Sequence, residues 1–371
     1  MSTYDESCSA LAVSLAAGIP VLLWGGPGVG KTSVIEQIAR HNGWHLETVI
    51  ASICDPTDFK GMPRDAGDRT IFSPPEWAVR THEAGGGVVF LDEISTAPPS
   101  VQAALLRPVL SGVVGDLELP AATRFVAAAN PASLAADGWD LSAPLANRFV
   151  HLEWDVPAAV ISAGFVYGFG SIAVPDVAVE FVEPAIAETL RSFGAFLSAR
   201  ADLAHKMPER VSERGMAWPS PRSWEMGARL LGYADAAGAS KGVRQRLLSG
   251  AVGSSTAREY LAWERALDLP DVEAALAAGG SIELPATPDR IVAVCGSLAA
   301  AITADPTAAR CTAAVNGILV AVANAGHIDL ATVALRRIAP AVAASGAVMT
   351  PEAVRHFGGL LTKMGRLKGS R

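Results

Sequence analysis

The sequence predicts a three-layer α/β domain with a five-stranded parallel sheet, followed by two all-helical regions. Two observations lead to this fold class. Up to residue 155, five short apolar runs alternate with helical patterns, as in a parallel sheet with helical crossovers. Beyond about residue 185, apolar residues recur at helical spacing, and Gly or Pro breaks divide them into separate helices.

Each predicted element follows from a local pattern. Five apolar runs are predicted to be strands: Val21–Trp24, Glu47–Ser52, Val88–Asp92, Arg124–Asn130 and Phe149–Trp154. Helical periodicity between the runs predicts helices over Lys31–Arg40 and Val101–Leu110. The chain is therefore divided into a core at 1–155, a Gly-, Pro- and Val-rich connector at 156–184, and helical regions at 185–285 and 286–371.

Composition excludes several classes of protein. The chain has 371 residues and a net charge of −7, which allows two or three domains and disfavours a general binder of nucleic acid or of anionic membranes. The four cysteines form no C-x-x-C pair, so we expect reduced thiols and neither a disulfide framework nor a zinc site. The apolar stretch Ala10–Trp24 follows two acidic residues and is broken by Gly18 and Pro20, so it predicts neither a signal peptide nor a membrane span. We expect a cytoplasmic protein without a membrane partner.

The loop after the first strand carries the most specific motif of the chain. Residues 25–32 read GGPGVGKT, which fits the phosphate-binding pattern G-x-x-x-x-G-K-[ST] between a strand and a helix. Its glycines let backbone N–H groups point at a phosphate, and the following helix adds its positive N-terminal end. An ordinary glycine-rich turn is the alternative, which the flanking strand and helix disfavour. The predicted nucleotide-binding residues are Gly25, Gly26, Pro27, Gly28, Val29, Gly30, Lys31, Thr32 and Ser33.

Two side chains of this loop have predicted roles. Lys31 is suited to reach the β- and γ-phosphates, and the Thr32 hydroxyl is suited to ligate Mg²⁺. A dinucleotide-binding fingerprint is excluded, because Lys31 stands where its third glycine would have to be. The sequence therefore predicts a nucleotide with Mg²⁺ as the ligand.

Two carboxylates end the third predicted strand. Four apolar residues, 88–91, precede Asp92 and Glu93, which places both acids at the carboxyl edge of the sheet, where ligands bind. Asp92 is suited to hold Mg²⁺ through its water shell, and Glu93 to polarise a water for attack on the γ-phosphate. Such a pattern is weak alone, but after a phosphate-binding loop it indicates nucleotide hydrolysis.

Three further polar residues have a functional interpretation, and two of them also have a structural one. Asn130 ends a predicted strand and is suited to hydrogen-bond the γ-phosphate or the attacking water, or it only caps the turn before Pro131. Arg148 is suited to stabilise charge on the transferred phosphoryl group, or it is a surface ion-pair residue. Arg222 falls in the first turn of a predicted helix, an unfavourable place for a cation, which indicates a role at the nucleotide's phosphates.

Together these motifs resemble those of the AAA+ ATPases and, within them, of the MoxR group in the helix-2-insert clade. The matching segments are GGPGVGKT (25–32), VVFLDEIS (88–95), AAAN (127–130), LANRF (145–149) and SPRSWE (220–225). The resemblance implies that Asn130 is the sensor-1 residue and that Arg148 is the arginine finger supplied to the neighbouring subunit. It makes residues 185–285 a helical lid with Arg222 as its sensor-2 residue.

The resemblance also implies further structure and an assembly. It places a helix-2 insert at about residues 57–75 and a pre-sensor-1 hairpin at about 110–123, where turn residues separate short apolar runs. It implies ATP as the nucleotide and a homo-oligomeric ring, most commonly a hexamer, since an arginine finger acts only across an interface. It names no motif for the C-terminal extension 286–371.

Several functions remain open at this point. The first is chaperone-like, ATP-driven remodelling of a protein partner, most commonly a protein with a von Willebrand factor A domain. The second is the motor subunit of a metal chelatase. A nucleic-acid motor is disfavoured by the acidic balance, although Lys60, Arg64 and Arg69 make the insert locally basic. A scaffold that binds nucleotide without hydrolysing it is disfavoured by the pair Asp92 and Glu93.

Overall fold

The computed structural model describes residues 2–131, 139–266 and 269–363. Its contacts divide the chain into two compact units. The first unit contains Met1–Ala187 and Asp202–Leu261, and the second contains Glu188–Ala201 and Ala262–Arg371. The predicted C-terminal extension includes residues 364–371, which lie outside the described part of the chain.

The first unit contains a five-stranded parallel sheet with the order β2-β5-β8-β1-β9. Its strands are β1 (Val21–Trp24), β2 (Leu46–Ile50), β5 (Gly87–Asp92), β8 (Thr123–Ala129) and β9 (Val150–Glu153). Two antiparallel hairpins pair β3 (Met62–Asp65) with β4 (Thr70–Ser73) and β6 (Val113–Val114) with β7 (Leu117–Glu118). The hairpins lie within the ranges predicted for the helix-2 insert and the pre-sensor-1 hairpin.

Helices separate the strands of this unit and continue after them. They are α1 (Thr3–Ala16), α2 (Lys31–His41), α3 (Thr57–Lys60), α4 (Glu76–Glu83), α5 (Pro99–Ser111), α6 (Ala143–Ala146), α7 (Ala158–Tyr167), α8 (Val179–Ala199), α9 (Pro221–Ala236), α10 (Lys241–Val252) and α11 (Ser254–Arg265). In the described ranges no strand follows β9. The predicted three-layer α/β fold with a parallel five-stranded sheet and a helical C-terminal part is confirmed.

The central strands form because both of their faces are covered. Residues 87–91 of β5 and 125–129 of β8 are buried throughout, so these strands read as continuous apolar runs rather than alternating ones. Phe59, Trp77 and Leu105 pack with them from one side of the sheet, in one core cluster. This packing fixes the carboxyl ends of β1, β5 and β8 as one rigid edge.

Residues 156–184, which the sequence predicts as a connector, contain the helix α7 and the first turns of α8. Apart from Ser162, α7 consists of apolar residues and glycine on all sides, so it has no amphipathic period that could distinguish it from an apolar loop.

The second unit is helical and has a core of its own. Besides parts of α8 and α11 it contains α12 (Val272–Ala277), α13 (Pro288–Ala304), α14 (Ala308–Ala313), a π-helical turn (Ala314–Leu319), α15 (Val320–Asn324), α16 (Ile328–Ser345) and α17 (Pro351–Lys363). Leu298, Ile318, Leu335 and Phe357 are among the buried residues of this core. Searched over the described residues, none of the helices is both long and apolar enough to cross a membrane.

Candidate functional site

The phosphate-binding motif forms the turn between β1 and α2, as the sequence predicts. Gly25, Gly26, Pro27, Gly28, Val29 and Gly30 make the turn, and Lys31, Thr32 and Ser33 form the first turn of α2. Gly30 precedes the helix with a φ of 85°, a left-handed conformation that glycine adopts without strain. A Cβ at Gly25 would lie 2.5 Å from the Trp154 carbonyl oxygen, so this position has room only for glycine.

Lys31 is a buried cation whose hydrogen bonds lie inside the site. Its ammonium donates to the carbonyl oxygens of Gly25 (2.7 Å) and Gly26 (2.9 Å) and to Asn130 Oδ1 (3.0 Å). Burial lowers the pKa of Lys31, and the nearby Asp92 carboxylate opposes that effect. All three N–H donors are in use, so an arriving phosphate must replace at least one of these acceptors.

Thr32 and Asp92 form the predicted metal-binding pair. The Thr32 hydroxyl donates to Asp92 Oδ2 at 3.1 Å, which brings the start of α2 against the carboxyl end of β5. A hydroxyl and a carboxylate are hard oxygen ligands, and Mg²⁺ typically takes only one or two carboxylates while phosphates and water complete its shell. Consistent with this, no group of three or more His, Cys, Asp or Glu residues that could hold a metal occurs in the described ranges. The residues present therefore fit a Mg²⁺ that binds together with a nucleotide.

Glu93 has an unusual backbone conformation next to this pair. Its φ is 53°, the one positive value found outside glycine in the part of the chain that the structure describes. Such a conformation costs roughly 1 kcal/mol or more and is typical of functional positions. The Glu93 N–H donates to Asp92 Oδ1 at 2.9 Å, and Ser52 Oγ donates to Glu93 Oε2 at 2.6 Å. The two acids are thus turned apart, one toward Thr32 and one toward Ser52.

Asn130 lies beside the phosphate loop. Its side chain accepts from Lys31, and its backbone N–H donates to Ser95 Oγ at 3.2 Å. Lys31, Thr32, Asp92 and Asn130 therefore meet at one edge of the sheet, which we call the nucleotide edge, with Glu93 directly next to Asp92.

Arg148 lies at the opposite end of the strands. It precedes β9, and the first residue of β9, Val150, is paired with Val21, the first residue of β1. The length of β1, about 13 Å at roughly 3.3 Å per residue, separates this level from the phosphate loop. Nη1 of Arg148 donates to the Pro144 carbonyl, while its buried Nε has no hydrogen-bond partner in the described structure.

Arg222 lies near Arg148 rather than at the phosphate loop of its own chain. Ser220, the N-cap of α9, donates to Asn147 Oδ1 at 2.8 Å, which ties the start of α9 to the segment before β9. Burial, and then the neighbouring positive charge of Arg222, lowers the pKa of Arg148. Within residues 2–131, 139–266 and 269–363 neither arginine has a carboxylate partner. We call this place the arginine edge.

A buried histidine, which the sequence does not indicate, links the two edges. Trp24, the last residue before the phosphate loop, donates its indole N–H to His151 Nδ1 at 2.9 Å. His151 Nε2 lies 2.9 Å from the carbonyl oxygen of Ala146, two residues before Arg148. One ring nitrogen accepts and the other donates, so the ring is neutral, and burial lowers its pKa to about 4. Ser52 and His151 are site residues that belong to none of the sequence motifs described above.

A cavity of about 530 Å³ adjoins the phosphate loop. Gly25 and Gly26 line it on one side, and Trp139, Trp154 and Met216 line it elsewhere. Asn130 also reaches this space, so the cavity is continuous with the nucleotide edge. Its mixture of aromatic side chains with a few polar groups is typical of a small-molecule site.

Comparison with known proteins identifies a domain around this site. Residues 20–149 match the family model of the AAA domain of the dynein-related subfamily, so the chain carries an AAA domain, a nucleotide-binding unit. The match begins just before β1 and ends just before β9, and it therefore includes the phosphate loop, the acid pair and both hairpins.

Curated relatives share only part of the chain. The nitric oxide reductase transcription regulator NorR1 of Cupriavidus necator is 29% identical over 116 residues, which is 29% of this chain and 22% of that regulator. The phenol regulator MopR of Acinetobacter guillouiae is 32% identical over 125 residues, 30% of this chain and 21% of the regulator. The chain thus spans about a fifth of the length of these relatives.

Two solved structures align with this chain at low TM-scores. A protein from Cytophaga hutchinsonii, named as a candidate ATPase, aligns with a TM-score of 0.42 and 12% identity over 70% of this chain and 92% of its own. A full-length MCM homolog from Methanopyrus kandleri aligns with a TM-score of 0.36 and 19% identity over 68% of this chain and 57% of its own.

Proposed function

We propose that this chain is a MoxR-type AAA+ ATPase that hydrolyses ATP at the subunit interfaces of a hexameric ring. The observation that carries the proposal is the separation of one catalytic set into two edges. Lys31, Thr32 and Asp92 meet at the nucleotide edge, whereas Arg148 and Arg222 lie together at the far end of the strands. Such a chain has every part of a phosphoryl-transfer site but cannot assemble it alone.

The residues of the nucleotide edge divide the chemistry among them. Loop N–H groups and Lys31 hold the β- and γ-phosphates, and Asn130, already bonded to Lys31, is placed to contact the γ-phosphate or the water. Mg²⁺ held by the Thr32 hydroxyl and Asp92 would supply neutralising charge on the phosphate oxygens. Glu93 accepts a proton from, or orients, the attacking water once its carboxylate turns from Ser52.

The arginine edge supports the part of the proposal that concerns the neighbouring copy. The two guanidinium groups lie close enough to repel each other, and Nε of Arg148 is buried without a hydrogen-bond partner among the described residues. Both features disfavour the isolated chain, since buried polar groups are normally hydrogen-bonded and like charges repel. A triphosphate bound at the nucleotide edge of a second copy would satisfy both arginines with charge-assisted hydrogen bonds.

The role of the ring follows by analogy. ATP binding and release would move the hairpins β3–β4 and β6–β7, and so remodel a protein client, for which a protein with a von Willebrand factor A domain is the preferred candidate. A chelatase motor subunit would use the same ring, and co-purification with a tetrapyrrole-binding subunit would favour that alternative.

A mixing experiment tests whether the site is shared between copies. Glu93→Gln leaves the arginines intact but disables the site, and Arg148→Ala leaves the site intact but removes the donor. Each variant alone is expected to be nearly inactive, whereas a one-to-one mixture regains turnover at roughly a quarter of the interfaces if copies mix at random. An inactive mixture that nevertheless co-assembles would show that both residues act within one chain, and the proposal would then be wrong.

A second candidate comes from the curated relatives, both of which are named as regulators. The exposed residues Lys60, Arg64 and Arg69 of the hairpin region favour contact with nucleic acid, but Asp65 and Asp68 in the same hairpin oppose it. Stimulation of turnover by DNA or RNA, lost steeply between about 50 and 200 mM salt, would support this candidate. No stimulation at low salt would exclude it.

A further inference from the structure

The helix α7 is an apolar element that no described part of its own chain covers. Residues 156–175 contain no charged side chain, and of the ten positions Ala158–Tyr167 only Gly164 is buried. The last three residues of the helix are strongly exposed: Phe165 (79%), Val166 (68%) and Tyr167 (87%). Helices that are apolar on all sides are normally buried, so this one lacks a partner among the residues that the structure describes.

The structure holds α7 in place at both ends. Its first residue comes five positions after Glu153, the last residue of β9. After the helix, Asn42 at the end of α2 accepts from the Val174 N–H at 3.3 Å and donates to the Ile172 carbonyl at 3.4 Å. Phe169 packs edge-to-face on Phe165, with ring centroids 5.9 Å apart. Residues 156–175, which we call the arm, are thus tethered at both ends and do not form a free tail.

The origin of the arm identifies its partner. Glu153, Trp154 and Asp155, from which the arm leaves the sheet, line the same cavity as Gly25 of the phosphate loop. The arm therefore begins at the nucleotide edge, where the proposed function places the arginine edge of a second copy. We infer that α7 docks on this neighbouring copy and forms part of the ring interface, an inference that rests on the proposed function.

Area and charge agree with a protein partner of this kind. The exposed parts of Phe165, Tyr167 and Phe169 alone offer roughly 400 Å², about half of what one partner buries in a standard interface. A helix that lies on a membrane surface typically has a polar face rich in Lys and Arg, whereas α7 has no polar face and contains no Lys or Arg. Such a helix buries its whole apolar surface only when a neighbouring protein contacts it on all sides.

The test replaces the exposed aromatic residues. Phe165→Ser with Tyr167→Ser is compared with Val348→Ser, which is 73% exposed but lies outside the arm. All proteins carry Glu93→Gln so that ATP is retained, and mass photometry measures assembly against protein concentration. The arm variant is expected to need at least tenfold more protein to assemble. Its thermal midpoint and ATP affinity are expected to stay unchanged, since Phe165 and Tyr167 are both exposed. Assembly at the concentration of the control would overturn the inference.

Two further readouts separate the possible partners. With Tyr167→benzoylphenylalanine, irradiation in the presence of ATP is expected to give a covalent dimer that contains peptides of this chain only. Adducts confined to one chain would contradict docking on a neighbour. Loss of vesicle binding in the arm variant, with assembly unchanged, would instead make α7 a lipid-binding element. If the parent protein stays monomeric at every ATP and protein concentration, the proposed function itself fails.

Discussion

The two edges of the parallel sheet differ in whether their charged side chains have partners within the chain. At the nucleotide edge every functional side chain already has a partner: Lys31 has three acceptors, Thr32 binds Asp92, and Glu93 accepts from Ser52. At the arginine edge, Arg148 and Arg222 lie near each other, and neither has a carboxylate partner in the described structure. At the nucleotide edge, groups of the same chain hold the functional side chains before any ligand binds. At the arginine edge, the two cations have no anionic partner among the described residues. Under the proposed function, a complete set of motifs in one chain does not make one complete site.

The largest expected effect is the loss of the donor at the arginine edge. Arg148→Ala should lower ATP turnover by about 10³- to 10⁵-fold, the range typical of arginine fingers, and leave nucleotide affinity nearly unchanged. Steady-state turnover and nucleotide titration measure the two quantities. Arg210→Ala, which removes an exposed arginine paired with Glu213 at 3.4 Å, is the matched control and should retain turnover. Full activity of Arg148→Ala would remove the distinction between the edges.

The next effect concerns the base at the nucleotide edge. Glu93→Gln should reduce turnover by about 10²- to 10⁴-fold, because an amide cannot accept the proton of the water. ATP binding should persist, since Lys31, Thr32 and Asp92 are untouched. Rapid-quench kinetics would show bound, unhydrolysed ATP, and Glu83→Gln on the exposed side of α4 serves as control. Normal hydrolysis in Glu93→Gln would assign the base elsewhere.

A smaller effect concerns His151, the residue that links the two edges, and this effect depends on pH. The pKa of His151 falls from 6.5 to about 4 in the folded chain, so below pH 6.5 the unfolded chain binds a proton that the folded chain does not. Stability is therefore full above pH 6.5 and is lost as the pH falls toward 4. Between pH 7 and pH 5 this residue should account for about 2 kcal/mol of lost unfolding free energy.

Urea unfolding at the two pH values measures this dependence. His151→Gln keeps one donor and one acceptor but cannot be protonated, so the difference between the two pH values should shrink by about 2 kcal/mol. An unchanged pH dependence in this variant would show that the histidine is accessible to protons in the folded chain.

The smallest effect concerns the partner of Glu93. Ser52 competes with water for the Glu93 carboxylate, so Ser52→Ala should raise basal turnover by up to about tenfold, the equivalent of one hydrogen bond to a charged group. Ser111→Ala, which removes a hydroxyl bonded to the Arg107 carbonyl at 2.9 Å on α5, should leave turnover unchanged. A decrease with Ser52→Ala would mean that the serine orients Glu93 for catalysis.

Sequence patterns predict which side chains meet at the nucleotide edge, because their placement depends on the local order of strands and loops. The glycine loop and the pair Asp92 and Glu93 each follow a buried strand directly, and the ends of parallel strands necessarily meet at one edge. The bounds of β1 agree fully with the prediction, and those of β5 differ by one residue.

The remaining features depend on contacts between distant parts of the chain. Ser52 and Glu93 are 41 positions apart, and Trp24 and His151 are 127 apart, so no spacing rule indicates either pair. The position of Arg222 depends on Ser220 binding Asn147, a contact across 73 positions. The helix α7 was missed for a different reason, since a helix without a polar face has no period to detect.

The opposite placement of the two edges restricts the symmetry of any active assembly. A twofold dimer completes its sites only if the two copies lie antiparallel, with each arginine edge against the nucleotide edge of the other copy. In an open head-to-tail row of copies, by contrast, the last copy always lacks a donor. Under the proposed function only closure of the row equips every copy, so turnover per chain should rise with assembly size and level off when the ring closes.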